Sequence, residues 1–195
     1  SQHIGAPAKA VLKKGEQVLR GQLIAEPGGF VSVAHHSPVT GTVSAVELAE
    51  HPGGKMLTSI KIKADPFASQ RFEEPKPLDW EGMEPGDFLR HLQRSGMVGL
   101  GGAAFPSHVK FHLPEGKRCK YLILNGCECE PYLTADHRVM LEFPDFIVHG
   151  TRLLRHFLKP EKVLVGIEAN KMDAVQRLRE AFLEADEAVE VVPLE

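Results

Sequence analysis

A change of texture near residue 65 constrains this chain more than any other feature. Upstream of it, short apolar runs are broken about every 8–12 residues by turn signals, the spacing of an all-β domain. Candidate strands are Ala10–Leu12, Gln22–Ala25, Phe30–Ala34, Gly41–Glu47 and Leu57–Lys63. In the last of these, Ile60, Ile62 and Ala64 alternate with Lys61 and Lys63, the pattern of a strand with one buried face. Lys14-Gly15-Glu16, Pro27-Gly28-Gly29 and Pro52-Gly53-Gly54 read as turns. Residues 1–64 are therefore expected to form a small all-β barrel or sandwich.

Residues 65–86 hold Pro66, Pro75, Pro77 and Pro85 with little periodicity, and read as a linker draped over the surface. From residue 87 the pattern becomes α/β. Asp87–Ser95 is an amphipathic helix with Phe88, Leu89 and Leu92 on one side, stopped by Gly96. Tyr121–Leu124 is a continuous apolar run, as expected of a strand buried on both faces. Asp145–Leu158 reads as a helix ended by Pro160, and Val163–Ile167 as a second buried strand. Asn170 is placed to N-cap the helix Lys171–Glu184, and Ala188–Val192 is a third strand. Alternation of strand and helix predicts an open, mostly parallel sheet over 87–195, making the whole an α+β two-domain chain.

Charge and composition exclude several classes of function. The 195 residues are 43% hydrophobic and 25% charged, as in ordinary globular proteins. A net charge of −3 argues against a general nucleic-acid binder, which needs a basic surface to displace counterions. No apolar run approaches the roughly 18 residues of a membrane span, and the N-terminus lacks the regions of a signal peptide. The missing initiator Met and the ending on Val191–Glu195 suggest a piece excised from a longer protein. Three cysteines do not make a disulfide framework, so a reducing, cytoplasmic location is the simplest reading.

Two segments could carry chemistry. In Gly99-Leu100-Gly101-Gly102-Ala103-Ala104-Phe105-Pro106, three glycines in four positions let the backbone approach a flat or anionic ligand closely. Lys110 then offers a positive charge for a phosphate. The same glycines would also serve a plain tight turn, and the loop matches neither the P-loop nor the Rossmann fingerprint. The second segment, Asn125-Gly126-Cys127-Glu128-Cys129-Glu130-Pro131, follows the apolar run Tyr121–Leu124, at the strand end where open α/β sheets place ligands. Asn125 can donate and accept toward a heterocycle edge, and Glu128 and Glu130 can accept from ribose hydroxyls or a carboxamide. Paired glutamates are more commonly a solvated loop; the strand-end position beside a Gly-rich loop favours the ligand-binding reading.

Other constellations point nowhere definite. Cys127-x-Cys129 has only Cys119 as a further thiol, and His108, His112 and His137 complete no zinc spacing, so no metal is assigned. His35 and His36 are adjacent on a β segment and face opposite ways, which suits a surface role better than a shared metal. Asp136-His137-Arg138 reads as a polar cluster or a helix start stabilised by Asp136. No hydrolase signature surrounds a nucleophile.

Together these segments resemble the C subunit of the Rnf electron-transport complex. The likeness rests on Gly99–Lys110, on Tyr121–Pro131, and on the continuation Tyr132–Met140. His3–Pro7 and Ser37–Val43 extend it through the first domain, so it covers nearly the whole chain. The second half also resembles the flavin-binding subunit of respiratory complex I, which shares a Gly-Gly-Ala-x-Phe-Pro loop and an Asn-x-x-Glu-x-Glu-Pro turn. The first domain is similar to the barrel-sandwich hybrid of biotinyl and lipoyl carriers. Those carriers present a modifiable Lys at a hairpin tip; the stretch here is Glu26–Phe30, with no Lys, so a docking or scaffolding module is expected instead.

The resemblance implies a soluble, peripheral subunit on the cytoplasmic side of a membrane complex. It would pass electrons between NAD(H), FMN and iron–sulfur clusters, with the other subunits as partners. It further implies that Gly99, Gly101 and Gly102 pack against the flavin and that Lys110 approaches its phosphate. Asn125 and Glu128 would contact the flavin, and Phe105 and Glu130 would face the dinucleotide. No side-chain general base is required, because hydride passes directly between the rings. Ala104 and Cys127 depart from complex I, which has Gly and Asp there. The 4Fe–4S clusters and the rest of the flavin pocket are expected in a missing C-terminal part, so this chain alone should hold FMN weakly and be inactive. Competing readings are the related cobalamin reductase of propanediol utilisation, and a non-catalytic docking or assembly module.

Overall fold

In the computed structural model, residues 2–72, 76–100, 102–128, 130 and 132–195 are described. They fall into two compact units, Ser1–His112 and Leu113–Glu195.

The first unit is built on six short strands: β1 (Lys9–Ala10), β2 (Gln17–Val18), β3 (Leu23–Glu26), β4 (His35–His36), β5 (Gly41–Glu50) and β6 (Met56–Ala64). They form two antiparallel three-stranded sheets, β1-β3-β4 and β2-β5-β6. Alternation along β6 does what the sequence predicted. Ile62 pairs with Val43 and Ile60 with Val46, and these side chains close on a core of Val18, Ile24 and Val43. Sealing a Val or Ile side chain from water this way contributes roughly 2 kcal/mol.

The expected strand Phe30–Ala34 is absent: the segment is a bent connection, and only His35–His36 pair as a strand. Its backbone groups are met by a helix instead. Gln93 Nε2 donates to the carbonyls of Gly29 (3.0 Å) and Ser32 (3.0 Å), and the Ala34 N–H donates to the Gln93 carbonyl (3.1 Å). That helix, α1 (Pro85–Ser95), starts two residues before the expected Asp87 because Pro85 occupies its first turn, where no N–H is needed. Phe88 and Leu92 are buried, and Gly96 ends the helix at φ +80°. The shorter α2 (Ser107–Phe111) completes the unit. Within the preceding segment, the Gln70 amide holds both the N–H and the C=O of Thr40, and so lies along the barrel.

The second unit follows the order β7 (Tyr121–Asn125), α3 (Ala135–Glu142), α4 (Pro144–Leu158), β8 (Lys162–Glu168), α5 (Met172–Glu184), β9 (Glu190–Leu194). The three strands are parallel in the order β7-β8-β9. In-order parallel strands stack their helices on one face when both crossovers share a hand. Met140, Val148, Val175, Leu178 and Phe182 accordingly pack with Val165, Ile167 and Val191 in one core. The opposite face is open, which corrects the reading of β7 as buried on both sides. Leu122 is buried, but Tyr121 is 60% and Ile123 64% exposed. Asn170 does not cap α5. Lys171 is at the cap position, and its ammonium, which has no lone pair to accept a first-turn N–H, pairs instead with carboxylates at the strand ends. Among the described residues no helix is long and apolar enough to cross a membrane.

Candidate functional site

The Gly-rich loop belongs to the first unit and the Asn125–Pro131 turn to the second. In the loop, an isolated bridge between Val98 and Pro106 pinches the two ends together. The Gly99 N–H donates to the Phe105 carbonyl (2.9 Å) and the Ser107 N–H to the Met97 carbonyl (3.0 Å). The Ile4 N–H reaches the Ala104 carbonyl (3.3 Å). Lys110, on α2, folds back over the loop: a Cβ built on Gly99 would lie 3.1 Å from its ammonium nitrogen. Any other residue at 99 would crowd the cation, and a Cβ at Gly102 would face open space. An ammonium beside backbone without side chains suits a phosphate, which needs room to approach and a point charge. Gly101 lies outside the described residues.

Gly102 sits at φ +98° and Ala104 at φ +48°. The left-handed region costs an alanine roughly 1–2 kcal/mol, and a glycine's extra unfolded-state freedom offsets roughly 0.5–1 kcal/mol of any relief. Ala104→Gly is thus expected to stabilise the first unit by about 0.5 kcal/mol. Urea unfolding of the variant measures this, and a loss of stability would show that the alanine is unstrained.

The turn is built by packing as much as by hydrogen bonds. The Gly126 N–H donates to the Gly166 carbonyl (2.8 Å), and a Cβ at 126 would lie 3.0–3.2 Å from that oxygen, Met140 and Ile167. Asn125 Oδ1 accepts from the Cys127 N–H (3.1 Å), which leaves its amide N–H groups to point elsewhere. Glu128 is enclosed, its side chain 5% exposed. Its carboxylate accepts from the N–H groups of Asp136 (3.0 Å) and His137 (3.4 Å), opening α3, and from the Lys171 ammonium (3.0 Å). Lys171 also pairs with Glu168, whose carboxylate accepts the Glu128 N–H (3.3 Å). Burial works against ionisation of Glu128, but the Lys171 ammonium and the two N–H donors outweigh it and hold its carboxyl below the ordinary range. Asp136 does stand in the first turn of α3, where the sequence expected it, and Glu128 accepts from the N–H groups there. His137 pairs with Asp173 (2.9 Å).

Lys171 and Glu168 went unread in the sequence. The signal was available: Glu168 ends β8, the parallel neighbour of β7, Lys171 follows it, and ligand edges of α/β sheets draw on adjacent strand ends. Glu130 is exposed and Phe105 half-buried, and Cys129 and Pro131 lie outside the described residues. Cys119 and Cys127 are free thiols. No group of three metal-capable side chains comes together among the described residues. His108 is 2% exposed and donates from Nε2 to the Phe30 carbonyl (2.7 Å), a packing role rather than a ligand's. His35 is half-buried, not a surface residue, and its Nε2 has no partner among the described residues.

Two family models match this chain. Residues 92–195 match the family of the Nuo51 FMN-binding domain, and residues 1–66 the RnfC barrel sandwich hybrid domain. The chain is 41% identical to the C subunit of the Na+-translocating ferredoxin:NAD+ oxidoreductase complex of Acetobacterium woodii, over 93% of this chain and 41% of that one. It is 37% identical to the C subunit of the ion-translocating oxidoreductase complex of Haemophilus influenzae, over 98% of this chain and 29% of the other. The chain thus spans less than half the length of these relatives. A solved NAD+-reducing NiFe-hydrogenase in the air-oxidized state aligns with 56% of this chain and 20% of its own, at TM-score 0.47 and 19% identity.

Proposed function

The chain belongs to the Nuo51 FMN-binding domain family, preceded by an RnfC-type barrel sandwich hybrid, and from that premise we propose that it is part of an NADH/FMN electron-entry subunit. The complex would be of the Rnf type, membrane-associated and ion-translocating, with this subunit peripheral on the cytoplasmic side and the other subunits as its partners. The names of the relatives, C subunits of ion-translocating oxidoreductases, support this reading. The matched ranges support a division into a barrel at 1–64, a connector at 65–86 and a flavin-facing domain from 87 onward. Packing alone groups α1 and α2 with the barrel.

The observation that carries the proposal is the Gly99–Lys110 cradle. FMN, when bound, supplies the exchange between a hydride and single electrons. The chain's own work is to hold it. Lys110 and the backbone at Gly99 and Gly102 would receive the phosphate end, with Gly101 assigned to the same role by its place in the sequence. In the first unit Phe105 would offer an apolar face; in the second, the Asn125 amide would donate to the ring edge and Glu130 would accept from the dinucleotide. Glu128 keeps the turn in shape, its oxygens already committed to Lys171 and α3. The 4Fe–4S clusters belong to the remainder of the longer protein.

In the full-length protein, Lys110→Ala is expected to weaken FMN retention on the order of tenfold, the loss of one charge-assisted contact. Glu130→Ala should raise the KM for NADH and leave flavin content unchanged. Flavin fluorescence and steady-state NADH oxidation measure the two. Wild-type values in both variants would refute the assignment.

A further inference from the structure

We propose that the barrel is the mount of the Gly-rich loop, with Gln93 and His108 as the positioning residues that fasten it. Glu26–Phe30, the stretch matched to the hairpin tip of biotinyl-type carriers, runs on here into the connection up to Ala34. Here it is gripped from both sides of the loop. On the near side, Gln93 Nε2 donates to the carbonyls of Gly29, Phe30 and Ser32 at 3.0–3.3 Å, and its own carbonyl takes the Ala34 N–H. Gly96, three residues before the loop, approaches the barrel so closely that a Cβ would lie 2.8 Å from the Ala34 carbonyl. On the far side, His108 Nε2 donates to the Phe30 carbonyl (2.7 Å). The Phe30 ring also makes edge contacts with the rings of His108 and His112, at 5.6 and 5.3 Å.

The consequence follows from where these residues stand in the chain. Gln93 stands in the last turn of the helix that leads into the loop, and His108 stands two residues before Lys110. A carbonyl only accepts, so His108 must carry its proton on Nε2 to make this bond. Its Nδ1 is then left buried with no partner among the described residues. A side chain 98% removed from water with one of its two polar atoms unsatisfied is costly to keep. The bond to Phe30 is what it keeps in return, and that bond fixes α2, the short helix that carries Lys110. Ile4, also on the barrel side, adds the third tether through its N–H to the Ala104 carbonyl. The loop's order is thus a property of the barrel, and the barrel serves the same site by holding its phosphate cradle in shape.

The part of this that concerns flavin rests on the function proposed above, so the test reads the loop and the flavin separately. In the full-length protein, His108→Ala and Gln93→Ala are compared with His108→Gln, which keeps a donor for Phe30. Amide exchange of Gly99 and Ser107 should quicken about tenfold or more in the two alanine variants, as for segments released to local opening. FMN affinity should fall on the order of tenfold, as when a residue that orients ligand-holding groups is removed. His108→Gln should recover most of both effects. Should His108→Ala fail to fold, Gln93→Ala, which leaves the apolar packing intact, decides alone. Unchanged exchange at Gly99 and Ser107 in a folded Gln93→Ala protein would overturn the mount. Faster exchange in a protein that binds no FMN even as wild type would uphold the mount and remove the flavin reading instead.

Discussion

Replacing Gly28 by alanine is expected to destabilise the first unit by about 3 kcal/mol, the upper part of the range for overpacking a tight site. A Cβ built there would stand 2.0 Å from the Pro7 carbonyl oxygen and 3.1 Å from its carbon. Both atoms are backbone, so no side-chain rotation relieves the clash. The segment around Pro7 would have to move, and its neighbour Ala6 holds its place through an N–H bond to the Val31 carbonyl (2.8 Å). Gly28 also donates its own N–H to Ser32 Oγ (2.9 Å), within the stretch that Gln93 grips. The adjacent Gly29 is the control. A Cβ there meets only Ala6 Cβ at 3.5 Å, an ordinary contact, so Gly29→Ala should change stability by less than about 0.5 kcal/mol. Chemical denaturation of the pair separates the two glycines. Equal effects would mean that the Pro27-Gly28-Gly29 turn is not packed against the N-terminal segment.

That turn also shows where sequence reasoning reached its limit. Alternation made β5 and β6 legible, because a strand with one wet face writes its period into the chain, as Ile60 and Ile62 do against Lys61 and Lys63. The helix α1 was legible from Phe88 and Leu92 and from the glycine that stops it. Phe30–Ala34 carries the residues of a strand and is none, because its carbonyls are satisfied by Gln93, more than sixty positions away. Propensity has no term for a partner so remote. Tyr121–Leu124 misled for a related reason. A continuous apolar run says that a strand is not half-polar, but not that something covers its second face. In the candidate site, the glycines and Lys110 announced themselves by composition, whereas Glu128 could be read only as an acceptor. Its actual partners, Lys171 and the start of α3, come together through the parallel pairing of β7 and β8.

Stability of the barrel should fall as the pH drops from about 6.5 to about 4, through His35 alone by roughly 2 kcal/mol. The His35 imidazole is pushed from 6.5 down to about 4, first by burial, then by the neighbouring charge of His3 and that of His36. His3 stands edge-on to it with ring centres 5.3 Å apart, and His36 is itself lowered by burial. Among the described residues its Nε2 has no partner, so none of them offers the added proton an acceptor. The unfolded chain binds that proton near 6.5 and the folded chain only near 4, so protons favour unfolding throughout the interval. The slope approaches 1.4 kcal/mol per pH unit at most, and partial exposure of the ring reduces the full sum to the figure given. Above 6.5 the term is fully present, and below 4 it is spent and changes no further. Glu128, Glu168 and Asp173, whose carboxyls are held below their ordinary values by Lys171 and His137 among their hydrogen-bond partners, begin to lose their contribution only as the pH falls to the ordinary carboxyl range, at the acid end of this interval and beyond it, and they do so in the second unit. The measurement is amide exchange of Val43, whose N–H is held by the Glu16 carbonyl in the barrel, across this interval in wild type and His35→Gln. The wild-type curve should fall toward acid and the variant's should flatten. Parallel curves would mean that His35 takes up its proton in the folded barrel as readily as in the unfolded chain.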